Sequence, residues 1–410
     1  MRILHTSDWH LGKNLEGYSR MDEQEKFLED FSLLVDEKNI DMVIIAGDIY
    51  DNSNPPARAE NMFYKSLKEI TSNGKRAILV IAGNHDNPDR LSAASPIAYD
   101  QGIFLLGTPK SIIPKGQYGN FTVVDSGEGF LEIEINGEKA VILTLPYPSE
   151  KRLNEILSDN LEDEERRKSY SDRIGEIFKS SSTKFREDTI NIAVSHIFVL
   201  GGETSESERP IELGGSLAVE VKNLPDKAQY IALGHLHKPQ AVNSKRLKAF
   251  YSGSPLQYSK SEIGYSKLCY VVDLKPSEEA VVEKTYFNNY KPIEVWKCKG
   301  IEDALNKCEL NKDKSCWVYL EIESETYISQ ENIKKIRDLK ADIIEIKPKI
   351  KGLDEEEAAF DSVKEKSMKE LFKDYYFSER GKEPDSEIMD LFLEIACEDG
   401  EEDETKDTES

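Results

Sequence analysis

The sequence predicts a layered α/β fold followed by a second, smaller α/β unit. Over the first 82 residues, short apolar runs alternate with amphipathic stretches, as expected for the strands and helices of a largely parallel sheet. Several apolar runs end on polar turns that contain Asp, Asn or His, and a parallel sheet brings such turns together at one edge. The length of 410 residues also exceeds that of one ordinary domain.

The first five predicted elements alternate between strand and helix. They are a strand at 2–7, a helix at 22–39, a strand at 42–45, a helix that contains Met62 and Ile70, and a strand at 77–82. Apolar runs predict the strands, and apolar residues at helical spacing predict the helices. Gly74 is the expected end of the second helix.

The middle of the chain is richer in strands and turns. Residues 103–145 are strand-like, whereas 149–188 is highly charged, and we expect it to form a helical insertion on the surface. Two further apolar runs, at 190–194 and 230–233, are each followed by histidine. Residues 250–255 and 268–274 are predicted as the last strands of this first domain.

The C-terminal part begins with a small alternating unit and ends in an acidic stretch. Strands are predicted at 292–296, 316–322 and 343–346, and helices at 302–310 and 329–339, the latter with Ser329 as its N-cap. The predicted division is therefore 1–288, 289–350, a helical segment at 351–397 and a disordered acidic tail at 398–410.

The helical segment at 351–397 carries two apolar faces. One includes Phe372 and Tyr375, and the other includes Leu391 and Phe392. These faces could pack on the core of this chain. Because their surroundings are charged and no further domain follows, we favour a partner helix or coiled coil as the occupant.

Composition indicates a globular protein without a membrane span. Hydrophobic residues make up 38% of the chain and charged residues 32%, and no apolar run approaches the ~20 residues of a membrane helix. The N-terminus becomes polar too early for a signal peptide. Five cysteines without a Cys-x-x-Cys pair predict reduced thiols in a cytoplasmic protein.

The net charge of −24, taken alone, argues against nucleic acid as a partner. From Lys351 onward, however, 22 Asp or Glu residues stand against 8 Lys or Arg residues, so most of the excess lies near the C-terminus. A metal centre would also add positive charge that this count omits. The acidity therefore weakens a nucleic-acid interpretation without excluding it.

Five of the six histidines lie in turns at the ends of predicted strands, beside other polar residues. The donors in these turns are Asp8, His10, Asp48, Asn84, His196, His235 and His237. Two carboxylates, one amide oxygen and four imidazoles suit two octahedral-type divalent ions better than one tetrahedral zinc. We expect one ion on Asp8, His10 and His237, and the other on Asn84, His196 and His235. Asp48 would bridge the two ions.

Such a pair of ions would predict phosphoester chemistry. Two metals about 3.5–4 Å apart can hold a phosphate, lower the pKa of a water and stabilise in-line displacement. His85 lies beside a predicted ligand without being one, so we expect it to act as proton or hydrogen-bond donor to the leaving oxygen, with Asp86 orienting its ring. A polar turn would explain each motif singly but not all of them in this order. His5, within the first strand, is predicted to be a core histidine.

These motifs resemble those of the calcineurin-like metallophosphoesterases: Asp8-x-His10, Gly47-Asp48, Gly83-Asn84-His85-Asp86, His196 and Gly234-His235-x-His237. Longer stretches at 5–12, 230–235, 251–255 and 317–322 are similar to the SbcD family, the nuclease subunits of bacterial SbcCD complexes. The resemblance covers about the first 350 residues. It implies a layered metallophosphoesterase sandwich with a capping domain at 289–350 and a C-terminal helical segment that binds a partner.

The resemblance also implies an activity. It is that of a Mn²⁺-dependent DNA nuclease, an exonuclease on double-stranded ends and an endonuclease on hairpins or single strands, acting in DNA repair, recombination and replication. The implied partner is a coiled-coil ATPase of the SbcC type, and the implied assembly contains a homodimer. Archaeal and eukaryotic relatives carry a histidine three residues after the bridging aspartate. Here that position is Asp51, so no role of that histidine is transferred.

Four basic residues in or near loops that follow the motifs could contact DNA phosphates: Lys13, Arg20, Arg58 and Arg90. For each, a solvated surface charge is the favoured interpretation. Two other functions remain open. A phosphoesterase acting on small molecules or phosphoproteins would need neither the cap nor the C-terminal segment, and a non-catalytic DNA-end tether would need no residue such as His85.

Overall fold

The computed structural model describes residues 1–153, 163–208, 217–324 and 327–350, together with seven positions nearer the C-terminus. These positions are Phe372, Lys373, Tyr376, Pro384, Ile388, Met389 and Phe392. Within this part of the chain, no helix is both long and apolar enough to cross a membrane.

The described chain contains 21 strands and eight α-helices. The strands are β1 (Arg2–Thr6), β2 (Asn14–Leu15), β3 (Tyr18–Ser19), β4 (Met42–Ala46), β5 (Ala77–Ile81), β6 (Ile103–Leu106), β7 (Gly116–Tyr118), β8 (Phe121–Gly127), β9 (Phe130–Ile135), β10 (Glu138–Leu145), β11 (Ile190–His196), β12 (Phe198–Val199), β13 (Ala218–Val219), β14 (Tyr230–Gly234), β15 (Gln240–Ala241), β16 (Ala249–Tyr251), β17 (Leu268–Asp273), β18 (Val281–Tyr286), β19 (Ile293–Cys298), β20 (Trp317–Ser324) and β21 (Ile343–Ile350). The helices are α1 (Met21–Glu37), α2 (Ala57–Thr71), α3 (Pro88–Ser92), α4 (Ser95–Ala98), α5 (Glu150–Leu153), α6 (Asp163–Ser181), α7 (Ile301–Leu310) and α8 (Gln330–Leu339).

Two mixed sheets form the centre of the fold. The first has the strand order β18-β17-β1-β4-β5-β6, and its last four strands are parallel. The second has the order β15-β16-β14-β11-β10-β9-β8-β7, with a parallel block from β16 to β10. Each sheet therefore contributes four parallel strands, which confirms the predicted α/β class with a largely parallel core.

The sheets pack face to face through one shared apolar core. Ile44 of β4 and Ile192 of β11 are both fully buried in it. Helices α1 and α2 cover the outer face of the first sheet, and α6 covers that of the second. Strand β4 is buried on both faces, and this is why it appears in the sequence as a continuous apolar run without alternation.

Part of the segment predicted as a surface insertion is instead a structural layer. Tyr170, Ile174 and Phe178 of α6 are spaced four residues apart, and all are buried against the second sheet. Charged residues such as Asp172 and Lys179 are exposed on the same helix, so composition alone concealed the buried stripe.

Two further details differ from prediction. Helix α2 ends at Thr71, and the left-handed backbone begins at Ser72 with φ 49°, before the expected stop at Gly74. Strand β18 was not predicted, because it is an edge strand with mostly exposed side chains and therefore lacks an apolar run.

The small C-terminal unit has the predicted strand–helix–strand–helix–strand order. Strands β19, β20 and β21 are parallel, with α7 and α8 packed on one face. Ser329 caps α8 by accepting a hydrogen bond from the Asn332 backbone N–H, as expected. The other face of this sheet packs on the β2–β3 hairpin through Trp317 and Leu15. This unit thus packs on the hairpin that follows His10.

The predicted partner-binding faces are described only in part. Tyr375 and Leu391 lie outside the described residues, as does the acidic tail at 398–410. The rings of Phe372 and Phe392 stack, with their centroids 3.8 Å apart and 5° between their planes. The two faces predicted as separate surfaces therefore contact each other through this pair.

Candidate metal centre

The predicted ligands lie where parallel strands of both sheets end. Asp8 and His10 follow β1, Asp48 follows β4, and Asn84 follows β5 in the first sheet. His196 is the last residue of β11, and His235 and His237 follow β14 in the second sheet. Because the two sheets face each other, these two sets of side chains meet at one edge of the sandwich.

The backbone around the site is strained at several positions that are not glycine. Asp8, His10, Asp48 and His235 have φ values of 54°, 45°, 52° and 105°. Such conformations cost about 1–3 kcal/mol each and concentrate at functional sites. The folded chain therefore gives up stability to hold these four side chains in place.

Glycine permits the close approach of the loops. At Gly47, with φ 95°, a Cβ atom would lie 2.2 Å from His196 Nδ1. At Gly83 it would lie 2.1 Å from the carboxylate of Asp48. Any side chain at either position would displace a predicted ligand, so both glycines are required for packing at the site.

Asp48 lies between two groups of donor atoms. Its Oδ2 is 3.6 Å from His10 Nε2 on one side and 3.4 Å from His196 Nε2 on the other. The nearby Asn84 Oδ1 lies 2.9 Å from His196 Nε2 and 3.0 Å from His235 Nδ1. The position of Asp48 between the two groups is the one that the sequence predicts for a bridging carboxylate.

The other group of donors is equally compact. Asp8, His10 and His237 bring one donor atom each within 4.8 Å of one another, and the Nε2 atoms of His10 and His237 are 3.0 Å apart. All three side chains are buried. Imidazole nitrogens and carboxylate oxygens that are buried close together, with too few hydrogens to bond to one another, are a suitable set of ligands for a divalent metal ion.

The pKa values of two histidines in the cluster favour metal binding. Burial lowers the pKa of His235 to about 3 and, together with the neighbouring His85, holds that of His10 well below its ordinary value. Both imidazoles are therefore neutral near pH 7, which is the form that binds a metal. Burial opposes ionisation of Asp48, but the neighbouring His196 outweighs it and holds the Asp48 pKa well below the usual range. Against the effect of burial, Asp48 in turn raises the pKa of His196 to about 9, so His196 has to give up a proton to bind an ion.

His85 faces the same space without belonging to either group of predicted ligands. Its Nε2 lies 4.0 Å from Asp48 Oδ2, and its Nδ1 lies 2.6 Å from the carbonyl oxygen of Asp51. A carbonyl only accepts hydrogen bonds, so Nδ1 carries a hydrogen, and Nε2 is the ring nitrogen on the side of Asp48.

The prediction that Asp86 orients the His85 ring is wrong. The carboxylate of Asp86 accepts hydrogen bonds from the backbone N–H groups of Ile49, Tyr50 and Gly83, at 2.8–3.1 Å. It therefore joins the loop after β4 to the loop after β5, and the ring of His85 is held by the Asp51 carbonyl instead. Which backbone groups surround a carboxylate depends on the tertiary fold, so the adjacent position in sequence was misleading.

Arg152, which no sequence pattern marked, also holds the loop of His85. Its guanidinium donates hydrogen bonds to the carbonyl oxygens of Gly83 and Asp86, at 2.7 and 2.6 Å. These two residues flank Asn84 and His85. Arg152 lies in α5, at the start of the charged segment whose role the sequence left unexplained.

One predicted DNA contact is wrong. Arg20 is 1% exposed, and its guanidinium is bound by the carboxylate of Glu23 and by the carbonyl oxygen of Gln257 at 2.5 Å. A buried guanidinium that already donates its hydrogen bonds to Glu23 and Gln257 is not available to a phosphate.

The other three predicted DNA contacts each pair with a carboxylate of the same chain. The pairs are Lys13 with Asp51, Arg58 with Asp22, and Arg90 with Glu60, at 2.7, 2.7 and 2.9 Å. The pairs of Arg58 and Arg90 lie nearer the surface, where ion pairs contribute little to stability and can exchange partners. Their role in DNA binding stays a prediction.

Comparisons with known proteins agree with this geometry. Residues 1–239 match the model of the calcineurin-like phosphoesterases, and residues 289–380 match the type 5 capsule protein repressor C-terminal domain. The SbcD protein of the SbcCD nuclease of Bacillus subtilis (strain 168) is 42% identical over 398 residues, which are 97% of this chain and 98% of that protein. A dimetal phosphatase from Danio rerio covers 69% of this chain and 98% of its own, at 13% identity and a TM-score of 0.37, from which we draw no conclusion.

Proposed function

Because the chain belongs to the calcineurin-like phosphoesterases and, within them, to the SbcD family of SbcCD nucleases, we propose that it is a metal-dependent DNA nuclease. In this proposal it hydrolyses phosphodiester bonds at double-stranded ends, in hairpins and in single strands, together with an ATPase of the SbcC type. The observation that carries the proposal is the position of Asp48, which lies between two compact groups of buried donors beside His85.

Each residue of the cluster has a distinct role in this proposal. Asp8, His10 and His237 would hold one divalent ion, Asn84, His196 and His235 would hold the other, and Asp48 would be shared by both. When bound, two such ions supply an activated water and neutralise the charge that develops on the phosphate. We take Mn²⁺ as the ion, since the donor set of carboxylate, amide and imidazole groups suits it.

His85 is the proton donor to the leaving oxygen. In its protonated form it carries hydrogens on both ring nitrogens, with Nδ1–H held by the Asp51 carbonyl and Nε2–H directed into the site. After Nε2 has given up its proton, the ring is neutral and Nδ1 keeps its hydrogen bond. The ring therefore needs no reorientation during the step, which is the advantage of a positioned general acid.

The remainder of the chain supports a role with partners. We assign residues 289–350 as a cap that helps to position DNA, and 351–397 as the segment that docks on the ATPase in a complex built on a homodimer. The match of residues 289–380 to a separate C-terminal domain supports this assignment. A cytoplasmic location is part of the proposal, supported by four cysteines among the described residues that are buried as free thiols.

Cleavage of a labelled DNA hairpin with Mn²⁺, measured alone and with an SbcC-type partner plus ATP, tests the proposal. We expect cleavage by the wild type, faster cleavage with the partner, and none by Asp48→Ala. Asp89→Ala, an exposed acidic residue outside the cluster, serves as a matched control that retains activity. Hydrolysis of a small diester without any cleavage of DNA would retain the metal centre and overturn the substrate assignment.

A further inference from the structure

His237 is supported from behind by a relay of side chains, in which Ser207 is half-buried and Glu262 is buried. Its Nδ1 lies 2.5 Å from the hydroxyl of Ser207, and this hydroxyl lies 2.5 Å from Oε1 of Glu262. Glu262 is fully buried and forms an ion pair with Lys267, whose ammonium is also buried. Ser207 belongs to none of the motifs that predicted the site.

The directions of these hydrogen bonds follow from the chemistry of each group. The Lys267 ammonium donates to Glu262, to the Ser254 hydroxyl at 2.8 Å and to the His237 carbonyl at 3.0 Å. A carboxylate paired in this way only accepts, so the Ser207 hydroxyl donates its hydrogen to Glu262. The oxygen of Ser207 then accepts from His237 Nδ1–H.

This arrangement selects one tautomer of His237. With the hydrogen on Nδ1, the lone pair of Nε2 faces the site, where His10 Nε2 lies 3.0 Å away. The backbone of His237 is held as well, because its N–H donates to Glu208 Oε1 at 2.6 Å and its carbonyl accepts from Lys267. The ring, the backbone N–H and the carbonyl of this predicted ligand are thus each held by a hydrogen bond.

The other predicted histidine ligands are held differently. His196 Nδ1 contacts the Ala46 carbonyl oxygen at 2.9 Å. Within the described part of the chain, the rear nitrogens of His10 (Nδ1) and His235 (Nε2) are buried without a hydrogen-bond partner. Among the four predicted histidine ligands, His237 therefore differs in having a relay of side chains behind its ring. His237 belongs to the predicted site that also contains Asp8 and His10.

We propose that Ser207, backed by Glu262 and Lys267, is a positioning residue that fixes the tautomer and orientation of His237 and thereby sets the affinity of the ion held by Asp8, His10 and His237. The inference rests on the metal centre of the proposed function and adds a residue that controls one of its two sites. Outer groups that orient a histidine ligand change metal affinity by about 10–100-fold.

A purely structural role for Ser207 would give a different result. The loop that carries Ser207 is also attached through Ser261, whose hydroxyl accepts a hydrogen bond from the Glu206 backbone N–H at 3.0 Å and does not contact His237. If Ser207 only anchored this loop, removing either hydroxyl would have the same effect. Ser261→Ala is therefore the matched control for Ser207→Ala.

The test is a Mn²⁺ binding isotherm of the full chain, in which free Mn²⁺ is followed by electron paramagnetic resonance. We expect two ions per wild-type chain. In Ser207→Ala, the dissociation constant of one ion should rise about 10–100-fold while that of the other is unchanged. Ser207→Thr, which restores a hydroxyl, should recover the lost affinity, and Ser261→Ala should bind like the wild type.

The alternative outcomes separate the two proposals. Equal isotherms for Ser207→Ala and the wild type would overturn the positioning role while leaving the metal centre intact. Equal weakening of both ions in Ser207→Ala and Ser261→Ala would show that the loop acts only as structure. A wild-type chain that binds no Mn²⁺ would overturn the proposed metal centre and, with it, this inference. Unfolding temperatures of the metal-free variants, expected to match the wild type, show that the chain remains folded.

Discussion

At the scale of single residues, a change at His85 tests whether catalysis and metal binding depend on different side chains. It lies 4.0 Å from the carboxylate of Asp48 but belongs to neither predicted set of ligands. His85→Gln should therefore bind Mn²⁺ with wild-type stoichiometry and lose about 10²–10⁴-fold in the rate of hairpin cleavage, the usual contribution of a general acid. The measurements are an isotherm and a single-turnover rate.

Two results would contradict that prediction. If His85→Gln loses its metal as well, the residue is a ligand rather than a proton donor. If it keeps both metal and rate, the leaving oxygen takes its proton from another source. A variant that retains its metals but loses all cleavage would exclude the interpretation of the chain as a non-catalytic tether.

His5 predicts a dependence of stability on pH. It is fully buried next to the Tyr230 hydroxyl at 2.9 Å, as expected for a core histidine, and burial lowers its pKa to about 3. Above pH 6.5 both folded and unfolded chains hold it neutral. Below that value the unfolded chain takes up a proton that the folded chain cannot, so stability falls by about 1.4 kcal/mol per pH unit until about pH 3.

Comparison of the wild type with His5→Gln isolates this effect. Between pH 7 and pH 5, the wild type should lose about 2 kcal/mol more unfolding free energy than the variant. Urea unfolding of both proteins in chelator measures the difference, and the other titrating groups cancel in the comparison. Parallel pH profiles would show that His5 is protonated or exposed in the folded chain.

At the scale of elements, α5 fixes the loop that carries Asn84 and His85. Arg152→Ala removes both hydrogen bonds to the carbonyls of that loop. A catalytic group displaced by about 1 Å can cost 10²-fold in rate. We expect cleavage at saturating Mn²⁺ to fall by about 10–100-fold with little change in the unfolding temperature.

Lys151→Ala, at the exposed neighbouring position, is the control for this experiment. Unchanged cleavage by Arg152→Ala would mean that the other contacts of the loop, including those of Asp86, hold it sufficiently. An equal loss in both variants would instead point to a general effect of positive charge near the site.

The sequence predicts those strands and helices whose structure depends on a local pattern of apolar residues. Buried parallel strands such as β4 appear as apolar runs, and the polar turns behind them mark the site. The edge strand β18 escaped prediction because half-exposed strands lack such runs. The buried face of α6 escaped because its buried apolar residues, Tyr170, Ile174 and Phe178, stand among many charged residues, as in a solvated helix.

At the scale of the whole molecule, the centre joins the two sheets. Asp8 and Asp48 come from the first sheet, and His196, His235 and His237 come from the second. Ions bound between them would cross-link the sandwich and bind only the folded chain. Mn²⁺ at 100 times its dissociation constant should therefore raise the unfolding free energy by about 2.7 kcal/mol per site.

Thermal unfolding with Mn²⁺ and with chelator measures this stabilisation. Asp48→Asn should reduce the stabilisation by Mn²⁺. The amide keeps an oxygen that accepts the hydrogen bond from the His85 backbone N–H, but it lacks the negative charge that both ions would share. A wild-type unfolding temperature that does not respond to Mn²⁺ would argue against ions between the sheets.

The α/β class, the order of elements in the small C-terminal unit and the seven polar side chains that meet at one edge of the sandwich could all be predicted from the sequence, because apolar periodicity and polar turns are local properties. The partners of those residues depend on the tertiary structure. It buries Arg20 against the carbonyl oxygen of Gln257, turns Asp86 toward the backbone N–H groups of Ile49 and Tyr50, and brings Arg152 and Ser207 to the site. Each of these contacts joins a side chain to a group on a different element or loop, or depends on how a loop folds back on itself. The spacing along the chain carries no record of such contacts.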